Sequence, residues 1–130
     1  MVVLFDCWDV KKFGSFIKEA PKPKANNAFT NTLSSTPADN ATDVAIDSNI
    51  VLNFSESVDV ESGNITIIKT SDDSIIETID VTSSKVTGTG STQITINPSS
   101  DLAEQTEYYV QIDSTAFDDS SSNSYAGISD

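Results

Sequence analysis

The 130-residue sequence contains no histidine, no arginine and a single cysteine, Cys7. Without histidine, the chain has no imidazole to act as a general base, a metal ligand or a switch near neutral pH. Serine-triad hydrolysis and most zinc chemistry are excluded for the same reason. One cysteine cannot form an internal disulfide or supply a thiolate cluster, so we expect an apolar core to hold the fold together.

Long apolar runs are also absent, since no segment approaches the roughly 20 residues that a membrane-spanning helix needs. The apolar start, Met1 to Phe5, is interrupted by Asp6, and lysines follow it rather than precede it. That order is unlike a secretory signal peptide. We therefore expect no membrane insertion, and we expect any export signal to lie outside this chain.

Charge is abundant, but it is mostly of one sign. Twenty acidic residues against seven lysines give a formal charge of −13, which repels nucleic acid and anionic membranes. Residues 1–32 carry a net charge of +2, whereas residues 33–130 carry −15. This shift indicates a junction near residue 32, with an N-terminal leader before it and one domain of ordinary size after it.

The leader combines three local patterns. Residues 2–8 have the β-branched and aromatic composition of a strand. Residues 8–20 carry apolar side chains at helical spacing, which predicts a short amphipathic helix, although Gly14 disfavours it. Residues 21–32, with Pro21 and Pro23 followed by Asn and Thr, predict an extended linker.

From Leu33 onward, short β-type runs are separated by polar turn clusters at intervals of about ten residues. This rhythm predicts an all-β, immunoglobulin-like Greek-key sandwich of about seven strands. Residues 33–36 and 43–46 are expected to supply the first edge. The remaining predicted strands are residues 50–54, 65–70, 75–81, 85–88, 93–97 and 107–113. Alternation predicts three inward-facing sets: Ile50, Leu52 and Phe54; Ile94 and Ile96; and Tyr108, Val110 and Ile112.

A more specific pattern is the segment from Leu102 to Tyr109. It places a tyrosine at the start of a strand, just after a corner that contains Leu102. This arrangement is typical of the tyrosine corner of Greek-key sandwiches, in which the phenol bonds to a backbone group upstream. We predict that Tyr108 occupies the corner and that Tyr109 faces outward.

Several segments resemble a known family in order. Residues 35–44 (STPADNATDV), 50–58 (IVLNFSESV), 92–98 (TQITINP) and 116–127, together with the tyrosine corner, resemble the bacterial Ig-like repeat of surface-layer proteins and large adhesins. The resemblance covers residues 33–130, with Ser122 where the family usually has glycine. It implies a scaffold, spacer or binding role without catalysis. It also implies that the chain stops before the last strand of the fold, with its usual aromatic residue.

Acidic residues form the main candidate site. In an Ig-type sandwich, the loops after the second and sixth strands lie at the same end of the molecule. We therefore expect five side chains from those loops to converge on a hard cation, for which calcium is the natural candidate because it accepts six to eight oxygens. They are Glu56, Asp59, Asp118, Asp119 and Asn123. The alternative is a solvated acidic pole.

Other chemistries fit the sequence less well. A glycosidase needs two carboxylates flanking a sugar cleft, and a sandwich of this size has little room for one. Lys69 or Lys85 could form a Lys-to-Asn crosslink, but exposed strand lysines are a commoner explanation. A carbohydrate-binding accessory module of an extracellular hydrolase is the alternative function, and exposed aromatic side chains on one face would favour it.

The sequence therefore predicts a non-catalytic, extracellular or cell-surface module, stabilised by calcium and acting in structure or adhesion. Its expected partners are neighbouring Ig-like repeats, a surface polysaccharide or a surface protein. An edge left open by an absent last strand would be a template for aggregation. We expect residues 2–8, from the same chain or by strand exchange from another, to cover that edge.

Overall fold

The computed structural model describes residues 10–13, 33–38 and 40–128, which form ten β-strands and no helix. The strands are β1 (Val10–Phe13), β2 (Leu33–Thr36), β3 (Val44–Ala45), β4 (Ile50–Val60), β5 (Asn64–Lys69), β6 (Ser74–Asp80), β7 (Val86–Thr87), β8 (Ser91–Ile96), β9 (Glu107–Ile112) and β10 (Phe117–Asp119).

Two sheets divide these strands. The first has the order β3-β1-β9-β5-β6, and the second has the order β10-β4-β8-β7, with β2 also paired to β4. The pairings are antiparallel except for β1 with β9, which is parallel. The predicted all-β, Ig-like sandwich is confirmed.

The core lies between the sheets and is filled by the inward sets that alternation predicts. Ile50, Leu52 and Phe54 of β4 are buried, as are Ile94 and Ile96 of β8. The ring of Phe54 makes edge-to-face contacts with Phe117 and Tyr125, at centroid distances of 5.5 and 5.7 Å. Burying these large apolar side chains is the main favourable term for folding.

Strand β4 organises the second sheet because both of its edges are occupied. Its first half pairs with β2, and its last three residues pair with β10 on the same edge. Its other edge pairs with β8 across a bulge between Asn53 and Val58. The strand therefore runs well beyond the predicted end at Phe54, and the prediction that Glu56 and Asp59 lie in a loop is wrong.

The first sheet differs from the sequence-based expectation at β1. A helix was predicted over residues 8–20, but Val10–Phe13 form a strand, and the rest of that range lies outside the described residues. Lys12 and Phe13 pair with Glu107 and Tyr108 of β9. Residues 10–13 thus cover the start of the β9 edge, and Ile128 pairs with Ile112 at its other end. The predicted covering segment, residues 2–8, lies outside the described residues.

The first-edge prediction is also corrected. Leu33–Thr36 pairs with β4 in the second sheet, whereas Val44–Ala45 pairs with β1 in the first. The chain therefore crosses between the sheets in the segment from Pro37 to Asp43. Asn40 and Asp43 have positive φ angles of 58° and 60°, a conformation that Asn and Asp tolerate better than most residues. These two residues give the crossing its turns.

Candidate functional site

The tyrosine corner is present as predicted. The Tyr108 hydroxyl accepts a hydrogen bond of 3.0 Å from the backbone N–H of Ala103, and the Tyr108 side chain is buried. Tyr109 is also buried, with 6% of its surface exposed, and its hydroxyl bonds to Asp73 at 3.2 Å. The prediction that Tyr109 faces solvent is wrong, because alternation assigns a residue to a face without saying what covers that face.

The loop after β10 is organised by the carboxylate of Asp119, whose residue is only 8% exposed. Its Oδ1 atom accepts hydrogen bonds from the backbone N–H groups of Ser121 at 2.8 Å and Asn123 at 2.9 Å. The Asn123 side-chain amide donates to the two carboxylate oxygens at 3.2 and 2.9 Å. Burial alone would raise the pKa of Asp119, but the bonds from Asn123 and Ser121 outweigh it and hold the pKa below its usual value.

Asp59 and Asp118 are brought together elsewhere, as directly opposed residues of β4 and β10. Successive strand residues point to opposite faces, so Asp118 points away from Asp119, which lies opposite the buried Val58. Glu56 lies three residues before Asp59 on β4. The five predicted ligands are therefore divided between the two faces of the sheet.

Within the described residues, no group of three or more Asp, Glu, Cys or His side chains is placed to hold a metal ion. Sequence reasoning missed this division because it placed the acids in two loops. In strands β4 and β10, the alternation of side chains separates residues that are adjacent in sequence. Calcium binding itself stays a prediction. Asp59 and Asp118 are the two predicted ligands that lie directly opposite each other on paired strands.

A polar cluster that sequence analysis did not anticipate joins β6 to the segments that flank β7 and β8. The Lys85 ammonium lies 2.7 Å from Glu77 Oε1 and also donates to the Ser99 hydroxyl. The Ser99 N–H donates to both Glu77 oxygens at 3.1 and 2.9 Å, and its hydroxyl donates to Oε1 at 2.5 Å. The three residues are far apart in sequence, so no local pattern could have revealed the cluster.

Glu77 is held as an anion at the centre of this cluster. Burial would raise the pKa of Glu77, but hydrogen bonds from Lys85 and Ser99, together with the charge of Lys85, hold that pKa below its usual value. Lys85 is therefore ion-paired with Glu77, while Lys69 lies 3.7 Å from Asp72. Both lysines for which a crosslink was considered are thus paired with carboxylates and not with an asparagine.

Next to this cluster lies an open cleft of about 350 Å³, between the turn after β3 and the segment after β8. Both walls are fixed by backbone hydrogen bonds, from Leu102 N–H to the Ile46 carbonyl at 3.0 Å and from Asn97 N–H to the Lys85 carbonyl at 2.8 Å. The lining residues are Ile46, Asp47, Ser48, Asn97, Pro98, Ser99, Ser100 and Asp101.

In the part of the chain that the structure describes, no helix has the length and hydrophobicity needed to cross a bilayer.

Comparison with known proteins identifies the family. The curated proteins and the solved structures yielded no match. A family model described as the bacterial Ig-like domain matches residues 25–130, and this match agrees with the observed sandwich. The chain belongs to the bacterial Ig-like domain family.

Proposed function

We propose that this chain is a non-catalytic structural or adhesive module of an exported bacterial surface protein, of the surface-layer and adhesin repeat type. The observation that carries the proposal is the filled core of a family-typical sandwich. Buried apolar side chains from both sheets, among them Phe54 of β4 and Ile112 of β9, form one cluster. A densely packed sandwich is a stiff unit, and stiffness is what a spacer or a display module requires.

The charge of the chain supports an exposed location and suggests its partners. A net charge of −13 keeps modules soluble and disfavours non-specific association at close spacing. Neighbouring Ig-like repeats, a surface polysaccharide or a surface protein are the partners that we expect. Calcium at Asp59 and Asp118 would relieve part of the repulsion within the module, and extracellular calcium concentrations suit weak sites.

Surface location can be tested on the source bacterium with an antibody raised against the folded sandwich. Intact cells should bind the antibody, and brief protease treatment of intact cells should remove the signal. A cytoplasmic protein of the same cells should survive the protease treatment when it is probed after lysis, which shows that the cells were unbroken. Antibody binding that appears only after lysis would contradict the proposal.

The second candidate is a carbohydrate-binding accessory module of an extracellular hydrolase. Such modules commonly stack sugars on exposed aromatic rings, yet the rings between residues 40 and 128 are all buried. They are Phe54, Tyr108, Tyr109, Phe117 and Tyr125. A stacking platform is therefore absent from that range, and sugar binding there would have to rely on hydrogen bonds in a preformed cleft.

A further inference from the structure

We propose that the cleft between residues 46–48 and 97–101 is a binding site for one or two units of a neutral sugar. Its volume of about 350 Å³ lies near the lower end of the range for small-molecule sites. The proposal goes beyond the structural role and does not depend on it. A spacer needs no cleft, so a failed sugar test would leave the spacer function untouched.

The lining of the cleft combines the groups that a sugar needs. Asp47 and Asp101 supply carboxylate acceptors, Asn97 supplies an amide that can both donate and accept, and the Ser100 hydroxyl can do either. Ile46 and Pro98 are half-buried, and the surface that faces the cleft is mostly polar. A sugar ring has hydroxyl groups around its edge, so it can donate hydrogen bonds to the carboxylates and exchange them with the amide and the hydroxyl.

Other ligand classes match this lining less well. Anions are repelled by Asp47 and Asp101 in a domain whose net charge is −15. An apolar ligand would desolvate these carboxylates without replacing their hydrogen bonds. A metal ion would lie near the Lys85 ammonium, which donates to Ser99 in the wall of the cleft, and that positive charge opposes cation binding.

The cleft is also preorganised. Glu77 holds Ser99 from behind through its backbone N–H and its hydroxyl, and Lys85 is ion-paired with the same carboxylate. The Leu102 to Ile46 backbone bond ties the two walls together. Little conformational entropy is therefore lost when a ligand binds, and that loss usually limits the affinity of polar sites on loops.

The test is a two-dimensional ¹⁵N–¹H NMR titration of the full chain with methyl glycosides of glucose, galactose, mannose and N-acetylglucosamine, and separately with calcium chloride. We expect at least one glycoside to cause saturable shifts of amide signals confined to residues 46–48 and 97–101, in the millimolar range. No saturable shift with any glycoside would overturn the proposal, as would shifts in this region that only calcium produces.

Variants locate the site. Asn97→Ala and Asp101→Ala should each weaken binding by about tenfold, because each removes direct hydrogen bonds to the sugar. The control is Glu61→Gln, which follows the far end of the 11-residue strand β4, roughly 33 Å from the cleft at the usual rise per residue. It should bind like the wild type.

Unchanged spectra outside the cleft establish that each variant is folded. Asp101→Asn and Asn97→Asp repeat the test with almost no change in side-chain volume. Equal sugar affinity in all four cleft variants and the wild type would show that the cleft is not the binding site.

Discussion

At the scale of single residues, the two adjacent tyrosines of β9 have different roles. The Tyr108 hydroxyl accepts the N–H of Ala103, so Tyr108→Phe leaves a partly buried donor without its partner. We expect a loss of about 1 to 3 kcal/mol in the free energy of unfolding, measured by denaturant titration. Tyr109→Phe removes a bond to the exposed Asp73, so it should cost less than about 1 kcal/mol. Equal losses would contradict this assignment.

Ser122 occupies a position at which the backbone favours glycine. Its φ angle is 62°, which a residue with a Cβ adopts at a cost of roughly 1 to 2 kcal/mol. Ser122→Gly should therefore raise the free energy of unfolding by about 0.5 to 1 kcal/mol after the added flexibility of the unfolded chain is counted. Ser121→Gly is the matched control, because Ser121 has no positive φ, and that substitution should be neutral or destabilising. A stabilising Ser121→Gly would show that loop flexibility, and not φ, is responsible.

Asp119 should give the protein a measurable acid dependence. Its pKa is lowered in the folded state, so its contribution to stability is complete above the unfolded value near 4 and is lost as the pH falls through the lower folded value. Asp119→Asn should cost about 1 kcal/mol at pH 7, and the difference from the wild type should shrink below about pH 4. Urea titrations across this pH range measure both effects. A constant difference at every pH would exclude the ionised carboxylate as the cause.

At the scale of strands, hydrophobic alternation predicted the start of β4 and the places of β8 and β9, and the side chains that it assigned to the core are buried, although it missed Val58 and Tyr109. It failed where pairing, and not local pattern, decides the structure. Residues 55–60 look like a polar loop, yet they extend β4 because β10 pairs with them. Val10–Phe13 has apolar residues at helical spacing, yet it forms a strand between β3 and β9. Short segments take the conformation that their partners offer.

The same limit applies to the candidate sites. The tyrosine corner could be predicted because its residues are within six positions of one another in sequence. The cluster of Glu77, Lys85 and Ser99 could not be predicted, since it is assembled across two sheets. Among the acids of the proposed calcium site, only Asp59 and Asp118 lie directly opposite each other. The other positions could not be predicted, because they depend on the pairing of β4 with β10, which the local sequence does not reveal.

The opposed pair of Asp59 and Asp118 gives calcium a direct test. Like charges directly opposite on paired strands are destabilising, so Asp59→Asn should raise stability by about 0.2 to 1 kcal/mol in the presence of a chelator. If calcium binds, excess calcium at 100 times its dissociation constant should stabilise the wild type by about 2.7 kcal/mol and the variant much less. Thermal unfolding with and without calcium measures both effects. A wild-type melting curve that calcium leaves unchanged would show that the calcium prediction is wrong.

At the scale of the whole molecule, residues 1–32 complement residues 33–130 both in charge and in strand pairing. The basic leader supplies β1, which lies within the first sheet of an acidic sandwich. Pairing with β1 satisfies backbone groups along part of the β9 edge and also connects β3 to the rest of its sheet. An unpaired strand edge is a template for association with other chains. Residues 10–13 therefore shield part of this edge, and the five lysines of residues 1–32 lower the net negative charge of the chain.

Deleting residues 1–32 should separate β3 from β9 and expose the edge at Glu107 and Tyr108. We expect a lower melting temperature and self-association that increases with concentration, measured by calorimetry and sedimentation velocity. The double variant Lys11→Gln, Lys12→Gln controls for charge, since it removes two positive charges while leaving the backbone of β1 able to pair. It should stay close to the wild type if edge covering is what matters. A deletion variant that is monomeric and as stable as the full chain would refute this role. A double variant that is destabilised as much as the deletion variant would assign the effect to charge.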